Sequence, residues 1–190
     1  MIAWVLHAAS TVFRGVAAGR VPWANIFEFT LIATAIIIGV FLTVQFWQDL
    51  RFVAAFVVGF VLIALGVATV NSYIDVVPLP PPLQSMWLVM HVFVASLGTA
   101  FFAIGAALSI VQLREARRGV DKAPGLRFLD RVPHDEQLEN MAYRVIVVGF
   151  AFWTVTLIAG AVWAERARGR YWGWDTNEVW TFIVWTIFAG

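Results

Sequence analysis

The chain has 190 residues, 61% of them hydrophobic and only 13% charged, with a formal net charge of +1 and no cysteine. A soluble globular domain is closer to a quarter charged, so the composition excludes an ordinary soluble fold. It offers no basic patch for nucleic acid, and it rules out a disulfide, a thiolate metal site and a thiol redox role in this chain. The few charges are clustered and leave apolar runs of membrane-spanning length. The expected fold class is therefore all-α. A polytopic transmembrane helical bundle of about six segments is expected, the first and last partial, in a single membrane domain over 1–190.

In chain order, segment one is roughly 1–13. No basic stretch precedes it, so it does not read as a cleavable signal. The loop 14–25 carries Arg14, Arg20, Pro22 and Asn25. Segment two, roughly 26–47, holds Glu28 near its start. Gln48 to Arg51 is a tight turn, and segment three is roughly 52–70. The loop 71–84, NSYIDVVPLPPPLQ, is proline-rich and cannot be helical throughout. Segment four, roughly 85–113, is long enough to tilt or to project beyond the hydrocarbon. The most polar stretch is 114–141, then comes segment five, roughly 142–164. A tryptophan-rich loop over 165–177 leads into an apolar run from Val179 to Gly190. That run is well short of the ~20 residues a span needs, so the sequence is expected to be incomplete at its C-terminus.

Orientation follows from the basic residues. Arg114, Arg117, Arg118, Lys122, Arg127 and Arg131, with Arg144 just inside the next span, place 114–141 in the cytoplasm. Alternation then puts 14–25, 71–84 and 165–177 outside. Arg166, Arg168 and Arg170 run against this count. Two explanations stay open for them: anionic groups of a ligand, or solvation beside phospholipid headgroups.

The stretch from Trp163 to Trp185, WAERARGRYWGWDTNEVWTFIVW, concentrates aromatics just outside a span. They form either an interfacial belt or a π-rich shelf for a planar apolar ligand. Tyr171, Trp172 and Trp174 come almost consecutively beside Gly169 and Gly173, which allow close backbone approach. Gly160 to Ala164, Gly169 to Asp175, then Glu178 and Trp180, resemble the tryptophan-rich "WWD" signature of haem-handling proteins. The likeness is greatest to the CcsA/ResC branch of cytochrome c biogenesis, often called CcsB in actinobacteria. Arg20 to Phe29 (RVPWANIFEF), Pro80 to Val92 (PPPLQSMWLVMHV) and Leu108 to Ile110 extend the resemblance to most of the chain. The chain departs from the pattern at Arg168, where the family typically has Trp, and at Thr176-Asn177, where it has Pro-Lys.

The resemblance implies a multi-pass plasma-membrane protein that exports or presents b-type haem, transiently bound, on the outer face. It implies a ResB-type membrane partner and apocytochrome c carrying Cys-x-x-Cys-His, to which haem is attached by thioether bonds. It makes His91 the haem-iron ligand, and Trp163, Arg170, Tyr171, Trp172, Trp174, Asp175 and Trp180 the cofactor-binding set. From the residues alone His91 has two readings: an axial ligand or a histidine bonded to a neighbouring helix. His7 reads as structural or interfacial, and His134 as a solvated loop residue. Asp175-Thr176-Asn177-Glu178 fits a capping box, with Asp175 at the N-cap. Glu28 reads as structural, bonded to the 22–25 loop or to an arginine of the tryptophan loop. Trp23 and Trp87 are packing, belt or cleft residues. No residue is an obvious acid or base for thioether formation. Whether the chain is a subunit of a cytochrome c synthase therefore stays open. The alternatives are a non-catalytic haem chaperone of the CcmC-like kind and an unrelated small-solute transporter.

Overall fold

The structure is a computed structural model and describes residues 1–76, 84–121 and 133–190, where it is helical without strands. The helices are α1 (Ile2–Ala18), α2 (Ile26–Val44), α3 (Ala54–Asn71, entered through a 3-10 turn at Arg51–Val53), α4 (Met86–Asp121), α5 (Asp135–Arg168) and α6 (Thr176–Ala189). Four stretches are long and apolar enough to cross a membrane: Ile26–Val44, Arg51–Asn71, Met86–Arg117 and Asp135–Arg168. α1 has 17 residues and α6 has 14. This is the polytopic bundle with shorter first and last segments that the sequence led us to expect. Outward apolar side chains such as Leu62, Ile63 and Ile158, each 60–70% exposed in the isolated chain, suit a lipid surround.

The helix boundaries differ from the hydropathy boundaries. α4 continues to Asp121 instead of stopping near 113, and α5 starts at Asp135 rather than 142. Charge ends an apolar run without ending a helix. The stretch Gln112 to Arg118 is made largely of good helix formers. Asp135 and Glu136, in the first turn of α5, suit the positive end of the helix dipole. The polar loop at 114–141 is thus helical at both ends. Lys122, Arg127 and Arg131 lie outside the described residues, as do 77–83 of the proline-rich loop. At the other end of α5 the helix runs on to Arg168 and closes at Gly169 (φ 71°), a left-handed cap that suits glycine. The tryptophan-rich connection is accordingly shorter than 165–177.

α4 and α5 form the central antiparallel pair, and small residues set their register. Positions seven apart on α4 (His91, Gly98, Gly105) meet positions seven apart on α5 (Gly160, Trp153, Ile146). Seven residues is nearly two helical turns, so this is one continuous seam. A Cβ at Gly98 would come within 3.3 Å of Trp153, and one at Gly149 within 3.0 Å of Phe101 and Phe102.

The main core gathers near one end of the bundle, where Leu50, Val53, Leu108, Val111 and Leu138 are buried. Leu50 sits in the turn between α2 and α3 and plugs that end. The opposite end holds the polar ties. There the ends of α1, α3 and α5 meet the starts of α2, α4 and α6. Glu28 is fully buried and accepts from Arg14, from Arg20 (2.7 Å) and from the Ala24 N–H (2.9 Å). Asn25 caps α2 by accepting from the Glu28 N–H at 2.9 Å. Arg14 also donates to the Ile74 carbonyl at 2.6 Å, tying α1 to the chain beyond α3. Glu28 therefore bonds to the 22–25 loop, as one of the two expectations had it. Its arginines, however, come from α1 (Arg14) and the connection after it (Arg20), not from the tryptophan loop. His7 binds the Leu31 carbonyl through Nε2 (3.0 Å) and Trp4 donates to the Ala35 carbonyl (2.9 Å). Both fasten α1 to α2, the structural role read for His7. His134 is exposed at the N-cap of α5.

Candidate functional site

His91 lies about one and a half turns into α4. Its Nδ1 is 3.0 Å from the Thr156 carbonyl of α5. A carbonyl only accepts, so Nδ1 carries the hydrogen and Nε2 keeps its lone pair. Nε2 has no hydrogen-bond partner among the described residues. This orientation is how a protein presents a histidine to a metal: one ring nitrogen is anchored to a carbonyl, and the other is left basic and aimed. Gly160 makes it possible. A Cβ there would sit 2.9 Å from both Cε1 and Nδ1 of His91.

His91 opens into a pocket of about 250 Å³ walled by Leu88, Thr156, Gly160, Trp163, Arg168, Tyr171 and Trp172 and by the first turn of α6. The pocket joins the start of α4 to the tryptophan turn, some 80 residues apart in sequence, at one end of the bundle. That agrees with the alternation read from the sequence.

The turn between α5 and α6 is tightly determined. Asp175 caps α6, its carboxylate accepting from the Glu178 N–H at 3.0 Å. The reciprocal arm differs from a simple capping box. Glu178 reaches back past the N-cap and accepts from the Gly173 N–H at 2.6 Å. Arg168 pairs with Asp175 and lies 3.7 Å from Glu178. The Arg168 guanidinium holds the Asp175 carboxyl below its ordinary range, with the Glu178 N–H adding to it. A lowered carboxyl pKa contributes stability above the unfolded value, and that stability is lost as pH falls through the folded value. The turn is therefore expected to hold through neutral pH and to loosen only in acid, below the usual carboxylate range. Following the exchange of the Glu178 amide against pH checks this.

Not every expected site residue faces the pocket. His91, Trp163, Tyr171, Trp172 and Asp175 line it. Trp174 points away, 78% exposed, and is the one non-glycine among the described residues with positive φ (59°). Trp180 is 61% exposed on α6. Arg170 stacks its guanidinium on Gly173, where a Cβ would lie 2.7 Å from it. Trp172 meets Trp174 edge-on at 5.8 Å and Phe182 at 6.1 Å between centroids. Trp172→Ala is thus expected to weaken ligand retention more than Trp174→Ala, by roughly three- to tenfold at ~0.5–1.5 kcal/mol per aromatic contact. Equal losses in a ligand-binding titration would remove the distinction between them.

Sequence reasoning missed Gly160 as the space for the imidazole, the Thr156 carbonyl as its anchor, and Arg168 as the partner of Asp175. The seven-residue spacing of His91, Gly98 and Gly105 was an available signal for the seam. A backbone carbonyl leaves no trace in side-chain identity. Trp87, expected as packing, belt or cleft, lies under Arg166, the guanidinium 5.2 Å from its ring centroid.

Among the described residues no three His, Cys, Asp or Glu side chains cluster as a metal site. One presented histidine suits a metal whose other ligands come with it, as the ring nitrogens of a porphyrin do, and the aromatic walls suit the ring. The residues present therefore fit haem.

The cytochrome C assembly protein family matches residues 23–190. The cytochrome c biogenesis protein CcsA of Trieres chinensis is 32% identical over 209 residues, covering 93% of this chain and 66% of that protein. The proteins of the same name from Synechococcus sp. (strain CC9902) and Prochlorococcus marinus (strain AS9601) are 33% and 32% identical. These alignments cover 99% and 97% of this chain and 69% and 67% of those proteins. The chain thus spans about two thirds of the length of the curated relatives it matches. Taken with four spanning helices and a histidine presented beside a tryptophan turn, these matches show that the chain belongs to the cytochrome c assembly protein family, in its CcsA-type branch.

Proposed function

We propose that this chain holds haem at the outer face of the plasma membrane and presents it to apocytochrome c, working with a ResB-type membrane partner. The observation that carries the reading is the His91–Thr156 hydrogen bond, which leaves Nε2 free inside an aromatic-walled pocket. In this reading His91 Nε2 would hold the iron, and Trp163, Tyr171 and Trp172 would wall the bound group. Haem supplies the vinyl groups that accept the two apocytochrome thiols. The chain's own part is positioning: it fixes the iron ligand, excludes water with aromatic walls and holds the turn that borders the site. Two carboxylates, Asp175 and Glu178, line the pocket beside His91. Both of these are engaged in holding the turn.

Purification of the chain in detergent with added haem tests the reading. A Soret band that co-elutes, and that shifts in His91→Ala, is the expected result. Absence of any band in the parent protein would leave the pocket without its proposed ligand. The outward orientation is separately testable because the chain has no cysteine. Thr176→Cys, on the exposed first turn of α6, is expected to react with an impermeant maleimide in intact cells. Glu139→Cys, on the exposed first turns of α5, is expected to react only after lysis. The reverse pattern would turn the protein over.

A further inference from the structure

The three arginines around the tryptophan turn are not equivalent: of the three, Arg168 lines the His91 pocket. We infer that it is a positioning residue, the clasp that locks the turn beside that pocket, rather than the partner of a ligand's anionic group. This rests on the proposed haem-holding function and deepens it. Arg168 is the last residue of α5, yet its guanidinium makes three contacts beyond its own backbone. It pairs with the Asp175 carboxylate, lies 3.7 Å from Glu178, and stands over the Trp163 ring at 5.3 Å from the centroid. Asp175 and Glu178 are in turn the two groups that hold the backbone of the turn, through the Glu178 and Gly173 amides. One guanidinium thus joins the end of α5, the start of α6 and a pocket tryptophan. Its charge is already met by two carboxylates. By contrast, Arg166 stacks on Trp87 and Arg170 on Gly173, and neither is in an ion pair among the described residues. Neither of those two lines the His91 pocket.

The magnitude of the effect separates positioning from general stability. The Arg168 side chain is 36% exposed and that of Asp175 is 33% exposed. A single pair so exposed contributes little to global unfolding. Its influence is local, on the opening of a seven-residue connection whose closed form orders Trp172. Closed and open turns are then two states, and a ligand that needs the closed one binds more weakly by the fraction lost.

The experiment uses the full chain in detergent micelles, first without haem. In Arg168→Gln, exchange of the Gly173 and Glu178 amides is expected to quicken about tenfold, with the thermal unfolding midpoint nearly unchanged. Arg168→Lys, which keeps the charge but not the fork or the stack, is expected to fall between. Unchanged exchange in Arg168→Gln would overturn the clasp, and this arm stands whether or not the chain binds haem. With haem, Arg168→Gln is expected to raise the apparent Kd about tenfold while the Soret spectrum at saturation stays that of the parent. Asp175→Asn is expected to do the same, and the double variant to be no worse than the worse single one. The dimethyl ester of haem decides between positioning and contact. If Arg168 acts through the turn, the ratio of variant to parent Kd is the same for haem and its ester. If Arg168 held a propionate, that ratio would fall toward one with the ester, and additive losses in the double variant would point the same way. Either result would refute the assignment.

Discussion

His91→Ala is expected to lower haem retention at least about 100-fold, because changing even an outer-shell partner of a metal ligand costs 10- to 100-fold and this change removes the ligand itself. Added imidazole is expected to restore a good part of the loss. Truncation to alanine opens a space at the pocket wall, and free imidazole can bring a lone pair to the same place. The Thr156 carbonyl, which now receives the Nδ1 hydrogen, is left to hold the visiting ring. Gly160→Ala supplies the matching test from the other helix. Its Cβ would stand 2.9 Å from the imidazole, so the ring must turn. Turning is cheap for the fold, since only a side chain moves. It breaks the bond to Thr156, however, and points Nε2 elsewhere. Weakened retention of about 10- to 100-fold with unchanged thermal stability is therefore expected of Gly160→Ala. Trp172→Ala should show no imidazole rescue, because imidazole cannot replace an indole wall. Equal rescue of the histidine and tryptophan variants would mean that His91 does not act through iron. The ultraviolet–visible spectrum and a haem-transfer titration measure all of these.

The fold class and the spans were legible because apolar runs of spanning length leave few alternatives. Helix ends were less legible. Hydropathy marks where the hydrocarbon stops, whereas α4 runs on to Asp121 and α5 starts at Asp135, just after Pro133, each several residues farther out. Within the site, His91 stood out because an ionisable residue in a span is rare. Trp172 and Trp174 did not separate in the sequence, two residues apart in one motif. The positive φ of Trp174 sends its side chain away from the pocket, and nothing in residue identity announces that for a bulky side chain. The capping pattern at Asp175 to Glu178 was readable, but not its geometry. Glu178 reaches the Gly173 amide, and Arg168 supplies a third member that local spacing rules do not contain. Asp175→Asn, which caps as well as Asp, therefore still loses the partner of Arg168.

The largest loss of stability is expected at Glu28, far from the pocket in sequence but at the same end of the bundle. Its carboxylate is fully buried between α1 and α2 and satisfies two guanidinium groups and one backbone amide. The side chains of Arg14 and Arg20 are themselves only 12% and 11% exposed. Replacing such a pair with apolar residues throughout can be neutral, but removing one partner leaves buried charge without compensation, at about 3–5 kcal/mol. Glu28→Ala leaves two such charges and also frees the Ala24 amide. Glu28→Gln keeps the shape and an acceptor for Ala24 but not the charge, so it is expected to lose somewhat less. Arg14→Gln is expected to be milder still, since Arg20 retains both of its bonds to the carboxylate. Arg20→Gln removes those two and should approach the alanine variant. Against a total stability of about 5–15 kcal/mol for a typical fold, Glu28→Ala is expected to lower accumulation in the membrane and the thermal midpoint in detergent together. Whatever folds should keep its affinity for haem, because nothing in this cluster reaches the His91 pocket. If Glu28→Ala melts with the parent and loses haem instead, the buried carboxylate belongs to the site and not to the frame that carries it.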